Sequence, residues 1–230
     1  ELLCDSCERV PRRIVLDIGD TEDRVHGGQQ LALFHAHYDS RCFLPIHIYE
    51  ATTGKPVAVI LRPGKTPGGV EVALVLRHVV RAIRSHWPAV DILVRGDSHY
   101  ARPEAMEWLE RNRVGYVFGL AGNKVLLGKI APLAEDAAVS RVGGEAGKVR
   151  RYGELRYAAK TWDVERQVVG IDHALDEAQV GRQQLFAGVH DEYAAHVELE
   201  ALALVAPGVQ RVPRRLRRQV QQRGVALAAL

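Results

Sequence analysis

The sequence predicts an α/β fold: a mixed sheet flanked by helices, followed by a β-rich insertion and a C-terminal tail whose structure the pattern leaves open. Three observations carry this. Short apolar, β-branched runs recur at Arg13–Ile18, Val90–Val94 and Gly115–Leu120. Two amphipathic stretches, Val70–Trp87 and Pro103–Asn112, alternate with them. A helix lying between two strands is a crossover, and a crossover implies parallel pairing on that side of the sheet.

Taken in order, "RIVLDI" (Arg13–Ile18) reads as a short buried strand, and "GDTEDRVHGG" after it is turn-rich. Leu31–Tyr38 alternates loosely and predicts a second strand. Cys42–Tyr49, "CFLPIHIY", predicts a third, with Pro45 marking an edge or a bulge. Short connections fit two antiparallel neighbours of the first strand. "ATTGKP" is turn chemistry, and "VAVILRPGKTPGG" gives a short strand and a Gly/Pro loop. Val72, Val75, Leu76, Val79, Val80, Ile83 and Trp87 recur at helical spacing, and Pro88 stops the run. Val90–Val94 is a buried strand. In Pro103–Asn112 the proline sits near the first turn, Glu104 and Glu107 lie early, and Arg111 and Arg113 lie late, an order that suits the helix dipole. Gly115–Leu120 is the next strand. Lys124–Ala138 reads as helical. Lys148–Arg151, Leu155–Trp162 and Val164–Ile171 read as a β meander with "YG" as a turn, and His190–Val205 fits a helix. The expected divisions are an extension over 1–12, a core over 13–123, a helix-plus-meander insertion over 124–171 and a tail over 172–230.

With 230 residues, 47% of them hydrophobic, the chain can bury one sizeable core. No run approaches the roughly 20 apolar residues of a membrane-spanning helix. Glu1–Arg13 is charged and lacks an apolar segment, so no signal peptide is expected; without an initiator Met, a fragment is expected. Cys4 and Cys7 have the spacing of half a zinc site, with no second pair to complete it; free thiols and a cytosolic home are the default. Net charge is +3, but Val205–Leu230 holds six arginines and no acid, a block that either touches phosphates or is simply solvated.

The chemistry centres on "ILVRGDSHY". Asp97 stands just past a buried strand and before a helix, where ligands gather in open α/β sheets. Asp17, Asp20, Glu22 and Asp23 lie at the end of the first strand. If the two strands are neighbours, like charges face one another, and a divalent cation removes the conflict. Carboxylate oxygens suit Mg²⁺ or Mn²⁺, and a pair of such ions can activate a water or a 3′-hydroxyl. The competing reading makes each Asp a helix cap or turn former. His35 and His37 share a strand face at two-residue spacing, as a metal pair or as plain strand surface. Arg62, Lys65, Arg95, His99 and Arg102 fall in loops near the expected site, where they either bind a DNA backbone or are solvated. His26–Gly28 reads as a flexible turn, Trp87 and Trp108 as core. "GLAGNK" lacks a phosphate-loop pattern.

"VLDIGDTEDRVHGGQQ", "YEATTGKPVAVILRPGKTP" and "ILVRGDSHYARPEAMEWLERNRVGYVFGLAGN" together resemble the DDE-type transposases of bacterial insertion sequences, specifically DDE transposase domain group 1. The resemblance covers about residues 13–170. It implies an RNase H-like fold, metal-dependent DNA strand cleavage and strand transfer with Mg²⁺ (Mn²⁺ as the alternative), and two Asp and one Glu as ligands. It also implies DNA as partner, at transposon ends and target, a homodimer in a synaptic complex, and action in the bacterial cytoplasm on the nucleoid. Asp97 matches the second acidic position. At the first, "LDIGDT" has Asp17 and Thr21, but Gly19 stands where related transposases carry the catalytic Asp, so Asp17, or Asp20 in reserve, has to substitute. The third position has no counterpart; Glu192, Glu198 and Glu200 are the nearest candidates and none is assigned. The resemblance ends near "ERQVVGI", beyond which the chain reads as a frameshifted or divergent ending of a truncated relative. Two further readings stand beside an active transposase: a catalytically inactive remnant with residual DNA binding, and an unrelated α/β metabolic enzyme, for which no small-molecule signature is present.

Overall fold

The computed structural model describes residues 2–132, 149–174 and 184–187. Among them eight strands form one sheet and three short strands form a second. The chain opens with a short helix, α1 (Leu2–Asp5), and then enters the central strand β1 (Arg13–Asp20). Strands β2 (Asp23–Arg24), β3 (Leu33–His35) and β4 (Ser40–Phe43) build the small sheet, in the order β2-β4-β3. The chain returns to the main sheet as β5 (Ile46–Glu50) and β6 (Pro56–Ile60). It continues through α2 (Gly69–His86), β7 (Asp91–Gly96), α3 (Pro103–Arg111) and β8 (Gly115–Leu120).

The first five strands of the main sheet stand in the order β6-β5-β1-β7-β8. β5 runs antiparallel to β1, and β6 antiparallel to β5. β7 and β8 run parallel to β1, each reached through a crossover helix. A sheet with three antiparallel strands, two parallel ones and this order is RNase H-like, as the resemblance implies. Beyond β8 come β11 (Gln184–Ala187), β10 (Arg166–Ala174) and β9 (Val149–Tyr157), all antiparallel, so the later strands prolong the same sheet.

Strand alternation decides which side chains meet the helices. In β1, Ile14, Leu16 and Ile18 are buried and join the core formed with Val72, Leu76, Val79, Val80 and Ile83 of α2 and Ala105, Met106 and Leu109 of α3. Each fully buried side chain of this size contributes about 1.5–3 kcal/mol. The helices also fasten one another. Arg84, in the last turn of α2, donates to the carbonyls of Asn112 (2.7 Å) and Arg113 (3.1 Å), placing a cation at the C-terminal end of α3. Trp87 ends α2 with its N–H on the Ile83 carbonyl at 2.8 Å.

Three expectations are corrected. The run from Cys42 to Tyr49 is not one strand: it breaks at Leu44–Pro45, leaving β4 in the small sheet and β5 in the main one. Proline lacks the N–H a continuing ladder needs. Only one antiparallel neighbour flanks β1, because β7 takes its other edge. Tyr152–Gly153 is no turn; β9 runs straight through it and pairs with β10 from end to end. Lys124–Ala138 is helical over 124–132, where Asn123 Oδ1 accepts the N–H groups of Val125 and Leu126, both at 3.0 Å, as an N-cap. The rest of that run, the 190–205 helix, the arginine block and Glu192, Glu198 and Glu200 lie outside the described residues.

Candidate functional site

The parallel register of β1 and β7 fixes the geometry. It pairs Arg13 with Asp91, Asp17 with Arg95 and Ile18 with Gly96. Ion pairs staple the strands along one face: Arg13 to Asp91 at 2.7 Å, and Arg95 to both oxygens of Asp17, Nε to Oδ1 at 2.6 Å and a terminal nitrogen to Oδ2 at 2.7 Å. Arg95 is 12% exposed at its side chain, so this forked, charge-assisted contact is largely shielded from water. β7 ends at Gly96, the partner of Ile18; continuing that register by one residue would set Gly19 beside Asp97. A Cβ built on Gly19 would meet no atom within 4 Å. Position 19 therefore has room for a side chain that the sequence does not supply.

Asp20 points the opposite way from Asp17 and Gly19, toward the helices. Its side chain is 4% exposed and accepts a hydrogen bond from the Tyr100 hydroxyl at 3.0 Å. Tyr100 is fully buried. Burial and the charge of Asp20 push its hydroxyl well above the usual range, so it stays protonated and donating. Asp97 is 61% exposed at its side chain, and its Oδ1 accepts the backbone N–H of His99 at 2.8 Å, which makes the tight turn after β7. His99 Nδ1 lies 3.9 Å from Asp20 Oδ2 and 4.0 Å from Asp97 Oδ1. The two carboxylates thus flank one imidazole. Gly119 of β8 lets this loop lie close: a Cβ there would stand 3.2 Å from Ser98 N and 3.4 Å from the Asp97 carbonyl carbon.

Of the three acids singled out from sequence, the structure brings Asp20 and Asp97 to one place and engages Asp17 with Arg95. The basic residues around the site divide. Arg62 is no surface cation: it is buried, with its guanidinium on both oxygens of Glu71 (2.8 and 2.9 Å) and on the carbonyl of Leu44. Arg102 donates to the His99 carbonyl at 2.9 Å. Lys65 is exposed. His37 falls in the turn after β3, with its ring edge-on to His35 at 6.4 Å between centroids, so the two do not share a strand face. Cys4, Cys7 and Cys42 are free thiols. Tyr100 was not singled out from sequence; its only signal there is its place three residues after Asp97.

A divalent cation can be weighed against these donors. Among the described residues no three His, Cys, Asp or Glu side chains are drawn together as in a formed metal centre. The donor chemistry fits a largely hydrated cation held by two groups, because the carboxylates of Asp20 and Asp97 both approach His99. Asp20 and Asp97 are the residues that would hold it.

Residues 1–180 match the family described as Transposase DDE domain group 1, and the chain belongs to it. No curated protein matches. Among solved structures, the chain is similar to a piggyBac transposase synaptic complex with hairpin DNA, at 9% identity and a TM-score of 0.43, covering 90% of this chain and 37% of that one. It is also similar to Ciona intestinalis Endonuclease V in complex with a 23mer DNA containing an inosine followed by a ribo-adenosine. There the identity is 9% and the TM-score 0.37, over 80% of this chain and 76% of that one. The chain spans little more than a third of the piggyBac chain's length. Among the described residues no helix is long and apolar enough to cross a membrane.

Proposed function

We propose that this chain is the catalytic core of an insertion-sequence transposase that cuts DNA at transposon ends and joins it to a target, acting as a dimer on paired ends in the bacterial cytoplasm. The observation that carries the proposal is the convergence of Asp20 and Asp97 on His99, at the carboxyl ends of two adjacent parallel strands in a chain of the DDE family. Mg²⁺ or Mn²⁺, when bound there, polarises a phosphoryl oxygen and lowers the pKa of a coordinated water or hydroxyl. Asp97, the more exposed acid, faces the entering nucleic acid. Asp20 is fixed from behind by Tyr100. The Asp17–Arg95 pair holds the two strand ends in register, which keeps both acids aligned.

The test is metal-dependent nicking of short duplexes, comparing the wild type with Asp97→Ala. Loss of a direct ligand is expected to exceed the roughly 10–100-fold cost of removing a group that only supports one. Cleavage that persists undiminished in Asp97→Ala rules the reading out. A second reading is favoured by Gly19, which leaves open space near the end of β1 where a side chain would fit: a catalytically inactive transposase remnant that still binds DNA. It predicts salt-sensitive duplex binding with no cleavage in either ion.

A further inference from the structure

We infer that the outer edge of β6 is a self-pairing surface: two copies of this chain join antiparallel, β6 against β6, and make one continuous sheet across a two-fold axis. The inference deepens the proposed function by giving its dimer a contact surface, and it rests on that reading for the need of a dimer.

β6 ends the main sheet, with β5 as its neighbour among the described residues. The Leu44 N–H donates to the Arg62 carbonyl at 3.1 Å, and Ile46 pairs with Ile60 and Ile48 with Ala58. Hydrogen bonding alternates along an antiparallel ladder, so Ala58, Ile60 and Arg62 turn their polar groups in toward β5, and Val59 and Leu61 turn theirs out. Among the described residues no main-chain group meets them there. Their side chains are open too: Val59 is 59% and Leu61 67% exposed. Natural edges are blunted with charges, proline or a bulge. Here those devices sit at one end, in Pro56 and the irregularity beside Tyr49, while "VAVIL" (57–61) carries no charge. The small sheet prolongs the edge. Phe43 pairs with Asp23 on one side and Pro63 on the other, and Cys42 with Arg24 and Leu33, so Pro63 and β3 follow one another along the same side of β4. Leu33 and Phe34 of β3 are likewise exposed.

A second copy is the occupant because this edge complements itself. A two-fold axis at Ile60 sets Val59 of each copy opposite Leu61 of the other, and each such pair exchanges both of its main-chain hydrogen bonds. Arg62 then falls opposite Ala58, so no charge meets its like. Ala58 and Ile60 face the helix-side core, which puts Val59 and Leu61 on the other face of the sheet. There the side chains of the two copies merge into one apolar patch and leave water together. One strand from each copy is a narrow contact, short of the roughly 1,200–2,000 Å² of a stable interface. The dimer is therefore weak in the free protein and is reinforced when both copies hold paired DNA ends.

The experiment is amide hydrogen exchange on the full chain over a wide range of protein concentration, with sedimentation equilibrium on the same samples, each with and without short duplex DNA. The expected result is self-association, with exchange of the Val59 and Leu61 amides slowing as concentration rises. Val59→Lys, at a position open to solvent, is expected to abolish that slowing and to weaken association at least about 10-fold, with the melting temperature of the monomer unchanged. The wild-type exchange pattern decides the matter even if the variant folds poorly. Association without slowing at Val59 and Leu61 overturns the edge contact and leaves the dimer reading standing. A chain that stays monomeric under every condition overturns both. Slowed exchange at the edge in a chain that does not nick duplexes upholds the contact and refutes the cutting alone.

Discussion

Gly19→Asp offers the sharpest probe of the site. The substitution places a carboxylate in open space one residue past Ile18, whose partner Gly96 precedes Asp97. Adjacent strands run about 4.7–4.9 Å apart, so if the register carries one residue further the new charge falls roughly 5 Å from that of Asp97. Coulomb's law puts the repulsion at about 1–3 kcal/mol for effective dielectrics between water and a protein surface. Loss of glycine's freedom in the unfolded chain offsets about 0.5–1 kcal/mol of this. Without metal, the variant is therefore expected to melt up to about 10 °C below the wild type, at about 2–4 °C per kcal/mol for a chain of this size. A divalent ion reverses the sign. At about 100 times its dissociation constant, Mg²⁺ stabilises by about 2.7 kcal/mol, or roughly 5–11 °C. The assay is thermal unfolding of both proteins with chelator and with Mg²⁺. If Mg²⁺ lifts the melting temperature of Gly19→Asp no more than that of the wild type, the β1–β7 register does not carry past Gly96 to bring position 19 beside Asp97, and the argument is wrong.

Arg166→Met tests the buried junction of β10 with α3. Arg166 is 3% exposed at its side chain, donates to both oxygens of Glu110 (2.7 and 3.0 Å), and lies over the Trp162 ring at 5.4 Å. Urea denaturation is expected to show a loss of about 3 kcal/mol, and Glu110→Gln combined with it should recover part of that loss. Glu71 titrates below its usual 4.5, chiefly because Arg62 donates to it, so its contribution is present above that value and fades as pH falls through the lowered pKa. Glu71→Gln is expected to flatten the acid limb of the stability–pH curve; an unchanged limb refutes the pairing. Tyr100→Phe strips Asp20 of its donor and should cost about 1–3 kcal/mol in chelator. Mn²⁺ should shrink that cost, and equal losses with and without Mn²⁺ count against a cation at Asp20.

Periodicity revealed the frame because it reports local burial. The spacing of Val72, Leu76, Val79, Val80 and Ile83 identifies α2, and the apolar runs around Val94 and Phe118 identify β7 and β8. It failed where pairing decides. Nothing local separates β4 from β5 except Pro45, and nothing local says that Tyr152–Gly153 continues a ladder. The site divides in the same way. Asp97 is legible from its place after a buried strand. The choice between Asp17 and Asp20 depends on the parallel register that sets Arg95 beside Asp17, a contact 78 residues away in sequence. His99 was visible as a residue near the acids, but its ring's place between Asp20 and Asp97 is set by the fold.

The small sheet leaves and rejoins the main one between Asp20 and Ile46, two residues that are themselves paired across β1 and β5. Topologically the whole excursion is an overgrown hairpin loop, and its two ends arrive where a tight reversal would put them. Evolution can thus trade this appendage for a longer or shorter one without shifting any neighbouring strand, and an engineer can graft a different module at the same point.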